Sequence, residues 1–191
     1  MPIPEIFAEH SAVVGRAARE LHQVLERIAA TAYDCLCGGG KIFACGNGGS
    51  AAQAQHLVAE LVGRFRTERR ALAAIALTAD TAVLTALGND YGYERVFARQ
   101  IEALANPGDL LFAISVSGNS PNVVLAAQAA RARGCRVVVL TGVQGGKLAA
   151  HADLLVQAPS NVVARVQEVH MLGVHAIADL LDELFREQAP P

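Results

Sequence analysis

Apolar positions recur at intervals of three and four from about Ile6 to Cys37, through Phe7, Val14, Ala17, Leu21, Leu25, Ile28 and Ala32. That period predicts one long amphipathic helix. Gly38-Gly39-Gly40 ends it, and Lys41 to Cys45 follows as an apolar run of strand length. Gly46-Asn47-Gly48-Gly49-Ser50 then opens a helical stretch from Ala51 to about Phe65. The unit recurs along the chain. Ala73 to Leu77 reads as a strand, followed by Thr78 to Thr81 and a short helix. Asn106-Pro107-Gly108 turns the chain into a strand from Asp109 to Ile114. After Ser115 to Ser120, Pro121 suits the first turn of a helix running to about Arg133. Gly134 leads into a strand from Cys135 to Leu140, and Thr141-Gly142 and Gly145-Gly146 follow it. Leu154 to Val156 is a fifth strand, and a final helix covers roughly Val162 to Phe185.

Strands alternating with helices predict an α/β fold of three layers, a five-stranded parallel sheet with helices on both faces and an N-terminal helical segment in front. In such sheets ligands bind beyond the carboxyl ends of the strands. The glycine- and serine-rich segments all follow strands, so they share that edge.

Length and composition narrow the picture. The chain has 191 residues, which suits a single domain spanning 1–191. It is 52% hydrophobic and 18% charged, with a mean hydropathy of +0.31. The excess of Ala, Val and Leu in helical patterns either fills one core or buries helices, such as 6–37, against other subunits. A net charge of −2 gives no general pull toward nucleic acid or an anionic membrane. No apolar run reaches the ~18 residues of a membrane span. Met1 to Glu5 lacks the basic and apolar regions of a signal peptide. Cys35, Cys37, Cys45 and Cys135 show neither CxxC spacing nor a disulfide framework. The expectation is a reduced, cytoplasmic protein with Cys45 and Cys135 as buried thiols.

Two loops carry candidate chemistry. Gly46 to Ser50 sits between a strand and a helix N-terminus, where glycines admit an anion and free N–H groups and the helix dipole favour it. It is not a dinucleotide fingerprint, because Ala51 stands where GxGxxG needs its third glycine, and no Gly-Lys-Ser/Thr makes it a Walker loop. Ser115-Val116-Ser117-Gly118-Asn119-Ser120 repeats the arrangement with three hydroxyls. One such loop is equally a tight turn with serine caps. Two on one sheet edge point to a phosphate ester held by neutral donors.

His56 and Glu60 lie four apart on the helix after the first loop and so share a face. Such a pair ligates zinc, divides proton-transfer work, or merely decorates a solvated face. The last helix carries Gln167, Glu168, His170 and His175 among apolar positions, where polar groups need partners. A lone His170 there reads as a satisfied core residue. Gln167 and His175 are separated by ~12 Å of helix rise, so on spacing alone Gln167 with His170 is the easier pair to ligate one ion.

At these residues the chain resembles the phosphoheptose isomerases (sedoheptulose 7-phosphate isomerases), within the wider group of SIS domains. The likeness is carried by Cys45 to Ala52, Ala54-Gln55-His56, Ala59 to Phe65, Leu84 to Gly92, Ser117 to Ser120, Leu140-Thr141-Gly142 and Arg165 to His170. It implies a SIS-type, flavodoxin-like fold and a homotetramer with active sites at subunit interfaces. It also implies a zinc ion held by His56, Glu60, Gln167 and His175. The resemblance, not spacing, selects His175 over His170. By the same route the substrate site comprises Asn47, Gly48, Gly49, Ser50, Glu60, Arg64, Asn89, Asp90, Ser115, Val116, Ser117, Ser120 and Gln167. Glu60 and His175 are the implied proton-transfer residues.

The implied reaction converts sedoheptulose 7-phosphate to D-glycero-D-manno-heptose 7-phosphate through an enediol, on a route to ADP-heptose and lipopolysaccharide core. Two positions depart from the family pattern. Gln53 stands where relatives usually carry Asp, and Val116 replaces the Thr of a Ser-Thr-Ser run. A non-catalytic relative that binds a bacterial replication initiator also lacks that Asp. That relative loses the glutamate and the last histidine, however, whereas Glu60 and His175 are both present here.

Overall fold

The computed structural model describes residues 2–186. Five strands form one parallel sheet: β1 (Ile42–Cys45), β2 (Ala74–Ala76), β3 (Leu110–Ile114), β4 (Arg136–Gly142) and β5 (Leu154–Ala158). Their order is β2-β1-β3-β4-β5. This is the flavodoxin-like order, whose direction reverses between β1 and β3 and leaves a crevice beyond their carboxyl ends.

Alternation along the strands divides the core in two. Ile42, Ala44, Leu110, Phe112, Ile114, Val138 and Leu140 face a layer made by α1 (Ile3–Cys37), α2 (Gly49–Val62) and α6 (Val163–Phe185). Phe43, Cys45, Leu111, Ala113, Val137 and Val139 face the opposite layer. There, α4 (Ala98–Leu104) and α5 (Pro121–Ala132) supply Ile101, Val123, Ala126, Ala127 and Ala130. Both faces of each central strand are therefore buried, which is why these strands read as continuous apolar runs.

The five strands, the long first helix and the last helix lie where the apolar pattern predicts them. The second helix starts two residues earlier than expected, at Gly49, and stops at Val62 before Gly63. The segment after β2 holds more than one short helix. It comprises α3 (Thr81–Tyr91), capped by Asp80 accepting from the N–H of Val83, then a single 3-10 turn over Tyr93–Arg95, then α4. The α4 helix has seven residues, too few to display a period. Cys45 and Cys135 are buried, and burial pushes the Cys45 thiol up to about 12. No helix among the described residues is long and apolar enough to cross a membrane.

Two apolar surfaces are left open. The α1 helix, with 35 residues at ~1.5 Å each, overhangs the sheet, and its Ile3 and Phe7 are exposed. The α3 helix fully buries none of its residues: Leu84 and Leu87 pack in part against the second core, and Ala86 and Tyr91 are exposed.

Candidate active site

A pocket of about 560 Å³ opens at the carboxyl edge of the sheet, where β1 and β3 diverge. Ser115, Val116, Ser117, Asn119 and Ser120 form one wall, and Asn47 and Ser50 another. Ser160, Asn161 and Gln167 close a third side. No charged side chain lines it. Three helices, α2, α5 and α6, begin at its rim, at Gly49, Pro121 and Val163. The positive end of each helix dipole lies at this rim, a setting that favours an anion, although Ser50 N–H and Ala51 N–H already donate to Asn47 O and Gly48 O.

The serine loop is organised for donation. The Ser115 and Ser120 hydroxyls lie 3.0 Å apart, and the Gly118 N–H donates to Ser115 O. Ser120 stands at the start of α5 yet makes no side-chain cap, so its hydroxyl faces the pocket rather than the helix. The N–H groups of Val116, Ser117 and Ser120 have no hydrogen-bond partner among the described residues. Gly118 has φ +65, and a Cβ there would overlap Gly145 O. The loop therefore packs backbone to backbone on the Gly142–Gly146 turn, where Leu148 N–H donates to Gly118 O.

The first loop is tied to this wall. Asn47 exchanges amide hydrogen bonds with Asn122 at 2.9 Å, and its Oδ1 accepts from the Tyr93 hydroxyl at 3.2 Å. Neither Asn122 nor Tyr93 follows from the sequence patterns, because both contacts join segments more than 40 residues apart in the chain. Ser160 and Asn161 were likewise unmarked; they lie in the segment after β5, and a strand-following polar pair was the only available signal.

A second cluster lies farther along α2 and α6. His56 Nε2 is 3.0 Å from Glu60 Oε1 and 3.0 Å from His175 Nε2. One ligand-type atom from each of the three lies within 4.8 Å of the others. All three are half-buried, and the Phe65 ring stacks on His175 with centroids 5.3 Å apart. Tetrahedral ligation at ~2.0–2.1 Å separates ligand atoms by roughly 3.3 Å, close to the two short distances here. Two imidazoles and a carboxylate are also zinc's donor types. The cluster fits such an ion.

Gln167 is placed in the pocket wall instead. Its amide packs on Gly49, just over two turns of α6 before His175. A Cβ on residue 49 would collide with that amide, so the glycine makes room for it. Gln53, buried on α2, donates to Gln167 O at 2.6 Å, whereas His56 pairs with Glu60 and His175. The helix-to-helix contact thus sets the level of Gln167 in the pocket.

His170 is turned away from all of this. It is fully buried and hydrogen-bonds Thr141 O at 3.0 Å, and burial holds its imidazole down to about 4. It is a neutral core residue, as its apolar surroundings imply. Four other expected substrate residues, Gly48, Arg64, Asn89 and Asp90, do not line the pocket of their own chain; Gly48 is exposed beside Asn47. Arg64 is exposed and pairs with Glu68 at 3.5 Å. Asn89 and Asp90 are exposed at the end of α3, where Asn89 donates to Asp90.

Comparison with known proteins agrees with this geometry. Residues 6–142 match the SIS domain family. A phosphoheptose isomerase from Aliarcobacter butzleri is 51% identical over 176 residues, covering 92% of this chain and 93% of that protein. The structure of a phosphoheptose isomerase from Neisseria gonorrhoeae superposes with a TM-score of 0.90 at 46% identity, covering 95% of this chain and 97% of that one. One from Francisella tularensis gives a TM-score of 0.92 at 38% identity, covering 95% and 96%. The chain belongs to the phosphoheptose isomerases, a family of SIS-domain enzymes.

Proposed function

We propose that this protein converts sedoheptulose 7-phosphate to D-glycero-D-manno-heptose 7-phosphate, acting in the cytoplasm on the route to ADP-heptose and lipopolysaccharide core. One observation carries the reading. A charge-free, donor-rich anion pocket and a proton-transfer cluster are built on the same two helices, α2 and α6. A linear heptose phosphate has its phosphate at one end and its carbonyl at the other, so a site for it needs both.

The Ser115, Ser117 and Ser120 hydroxyls and the loop N–H groups receive the phosphate. Asn47, held by Asn122 and Tyr93, and Gln167, whose main-chain carbonyl accepts from Gln53, meet the sugar hydroxyls. Isomerisation removes a proton from C1 of the ketose and returns one to C2, with the hydroxyl proton moving from O1 to O2. Glu60 takes the carbon-bound proton. His175, its ring orientation fixed by Phe65 and His56, carries the oxygen-bound proton. His56, Glu60 and His175 are the residues that would hold zinc, with Gln167 as the fourth ligand implied by the family. When bound, zinc acts as a Lewis acid on the oxygens at C1 and C2.

Asn89, Asp90 and Arg64 belong to the site in a homotetramer, where neighbouring chains bring such residues together. The only partly buried α3 helix that carries Asn89 and Asp90, and the exposed Ile3 and Phe7 at the start of α1, support an assembly of that kind.

The test is turnover of sedoheptulose 7-phosphate by purified protein, before and after chelation and after zinc is restored. Activity lost to the chelator and regained with zinc is the expected result. A zinc-loaded preparation that leaves the substrate untouched but captures a replication initiator would reverse the reading toward the non-catalytic relative.

A further inference from the structure

The α2 helix, which supplies His56 and Glu60, has a weak end. The Gly63 N–H still donates to Ala59 O, but the carbonyls after that one have no partner within the helix; Leu61 O accepts from the Leu72 N–H, and Gly63 closes the helix without a left-handed cap. The missing cap comes from elsewhere. Arg69 folds back so that its guanidinium donates to the carbonyls of Glu60 at 2.7 Å, Leu61 at 3.0 Å and Gly63 at 3.1 Å, and also to that of Arg70 at 3.0 Å. A cation there also meets the negative end of the α2 dipole. The Arg69 Nε donates to Asp182 Oδ1 on α6 at 2.8 Å, and both side chains are sealed from solvent. The other oxygen, Asp182 Oδ2, accepts the N–H groups of Arg66 at 2.6 Å and Thr67 at 2.9 Å. Those bonds fix the segment that carries Phe65, whose ring stacks on His175.

One buried pair therefore holds three things in register: the turn of Glu60, the Phe65 ring, and the α6 helix that bears His175. A fully buried ion pair is a poor source of net stability, because an apolar pair of similar size does as well. What it supplies here is geometry. The planar five-donor fork of arginine reaches four carbonyls and a carboxylate at once, which a lysine ammonium does not.

We propose that Arg69 and Asp182 are positioning residues for the His56–Glu60–His175 cluster, setting the spacing of α2 and α6 on which its ligand geometry depends. The proposal rests on the isomerase reading for the purpose of that cluster, but not for the clamp itself.

The test uses the full-length chain. Arg69→Lys should weaken zinc binding by about 10- to 100-fold in chelator competition, as loss of groups supporting metal ligands does elsewhere. It should lower kcat with KM for sedoheptulose 7-phosphate within about twofold, since the phosphate loop lies beyond the clamp. The exposed pair of Arg66 and Asp179, 3.3 Å apart between the same segments, is the control, and Asp179→Ala should leave both values unchanged. Wild-type zinc affinity in folded Arg69→Lys overturns the proposal. If that variant does not fold, the double change Arg69→Met with Asp182→Leu leaves no unpaired buried charge and should show the same loss of affinity; wild-type affinity there overturns it equally. A further arm needs no variant. In metal-free wild-type protein the amides of Ala59 to Gly63 should exchange as slowly as the middle of α2, and rapid exchange at that helix end refutes the clamp. Wild-type protein that binds no zinc but shows slow exchange there would defeat the metal reading and leave the clamp standing.

Discussion

His56 on α2 and His175 on α6 are 119 residues apart in the chain, and their Nε2 atoms meet at 3.0 Å. Two ring nitrogens facing one another at that distance cannot both carry a proton. Either one donates to the other, or a cation lies between lone pairs. With Glu60 Oε1 3.0 Å from His56, the second arrangement gives every one of these atoms a partner.

If zinc occupies this cluster, it stabilises the folded chain by mass action, by about 2.7 kcal/mol at a hundredfold excess over its dissociation constant. Zinc should accordingly raise the melting temperature of the wild-type protein. His56→Ala and His175→Ala should remove that rise while keeping the metal-free melting temperature close to wild type, since both side chains are only half-buried. An undiminished zinc shift in both variants would place the ion elsewhere.

The serine loop makes a separable prediction. Ser120 does not cap α5, so Ser120→Ala removes a pocket hydroxyl at little cost to the helix. A hydrogen bond to a charged group contributes about 1.5–3 kcal/mol, so KM should rise roughly tenfold or more while kcat stays nearly constant. A fall in kcat at unchanged KM would mean that the hydroxyl does not touch the phosphate end.

His170 links the core to pH. Burial holds its folded-state pKa to about 4, whereas the unfolded chain takes up that proton near 6.5. The unfolded state therefore binds more protons between those values. The contribution of neutral His170 is complete above about pH 6.5 and is lost as pH falls toward 4, reaching about 2 kcal/mol by pH 5. Urea unfolding at pH 7.5 and pH 5 should show a drop that His170→Asn diminishes by about that amount. An identical drop in the variant would mean that the imidazole is not neutral in the folded chain.

Much of this site was legible in the sequence because its signals are local. The Gly46–Ser50 and Ser115–Ser120 loops announce themselves by residues that only a strand-to-helix turn would use. His56 and Glu60 share a face by spacing alone. The choice between His170 and His175 was not local. At 100° per residue the two point about 140° apart around α6, and only packing decides that His170 enters the core to bond Thr141. Family resemblance supplied the answer that spacing lacked. Tyr93 on Asn47, Gln53 on the Gln167 carbonyl, and Arg69 on Asp182 were invisible for the same reason. Each joins segments distant in the chain, and no periodicity records which polar side chain will meet which carbonyl. Arg69 in particular reads as one more charge in Arg64 to Arg70, yet it is the one that the fold buries.

The most direct measurement of the central claim follows label from solvent. Wild-type protein turning over sedoheptulose 7-phosphate in deuterium oxide should place deuterium at C2 of the aldose product, because Glu60 exchanges its proton with solvent while the enediol persists. Glu60→Gln, folded like the wild type, should neither form product nor wash label into the substrate. Full turnover by that variant, or product formed by wild type without any deuterium, would contradict the account.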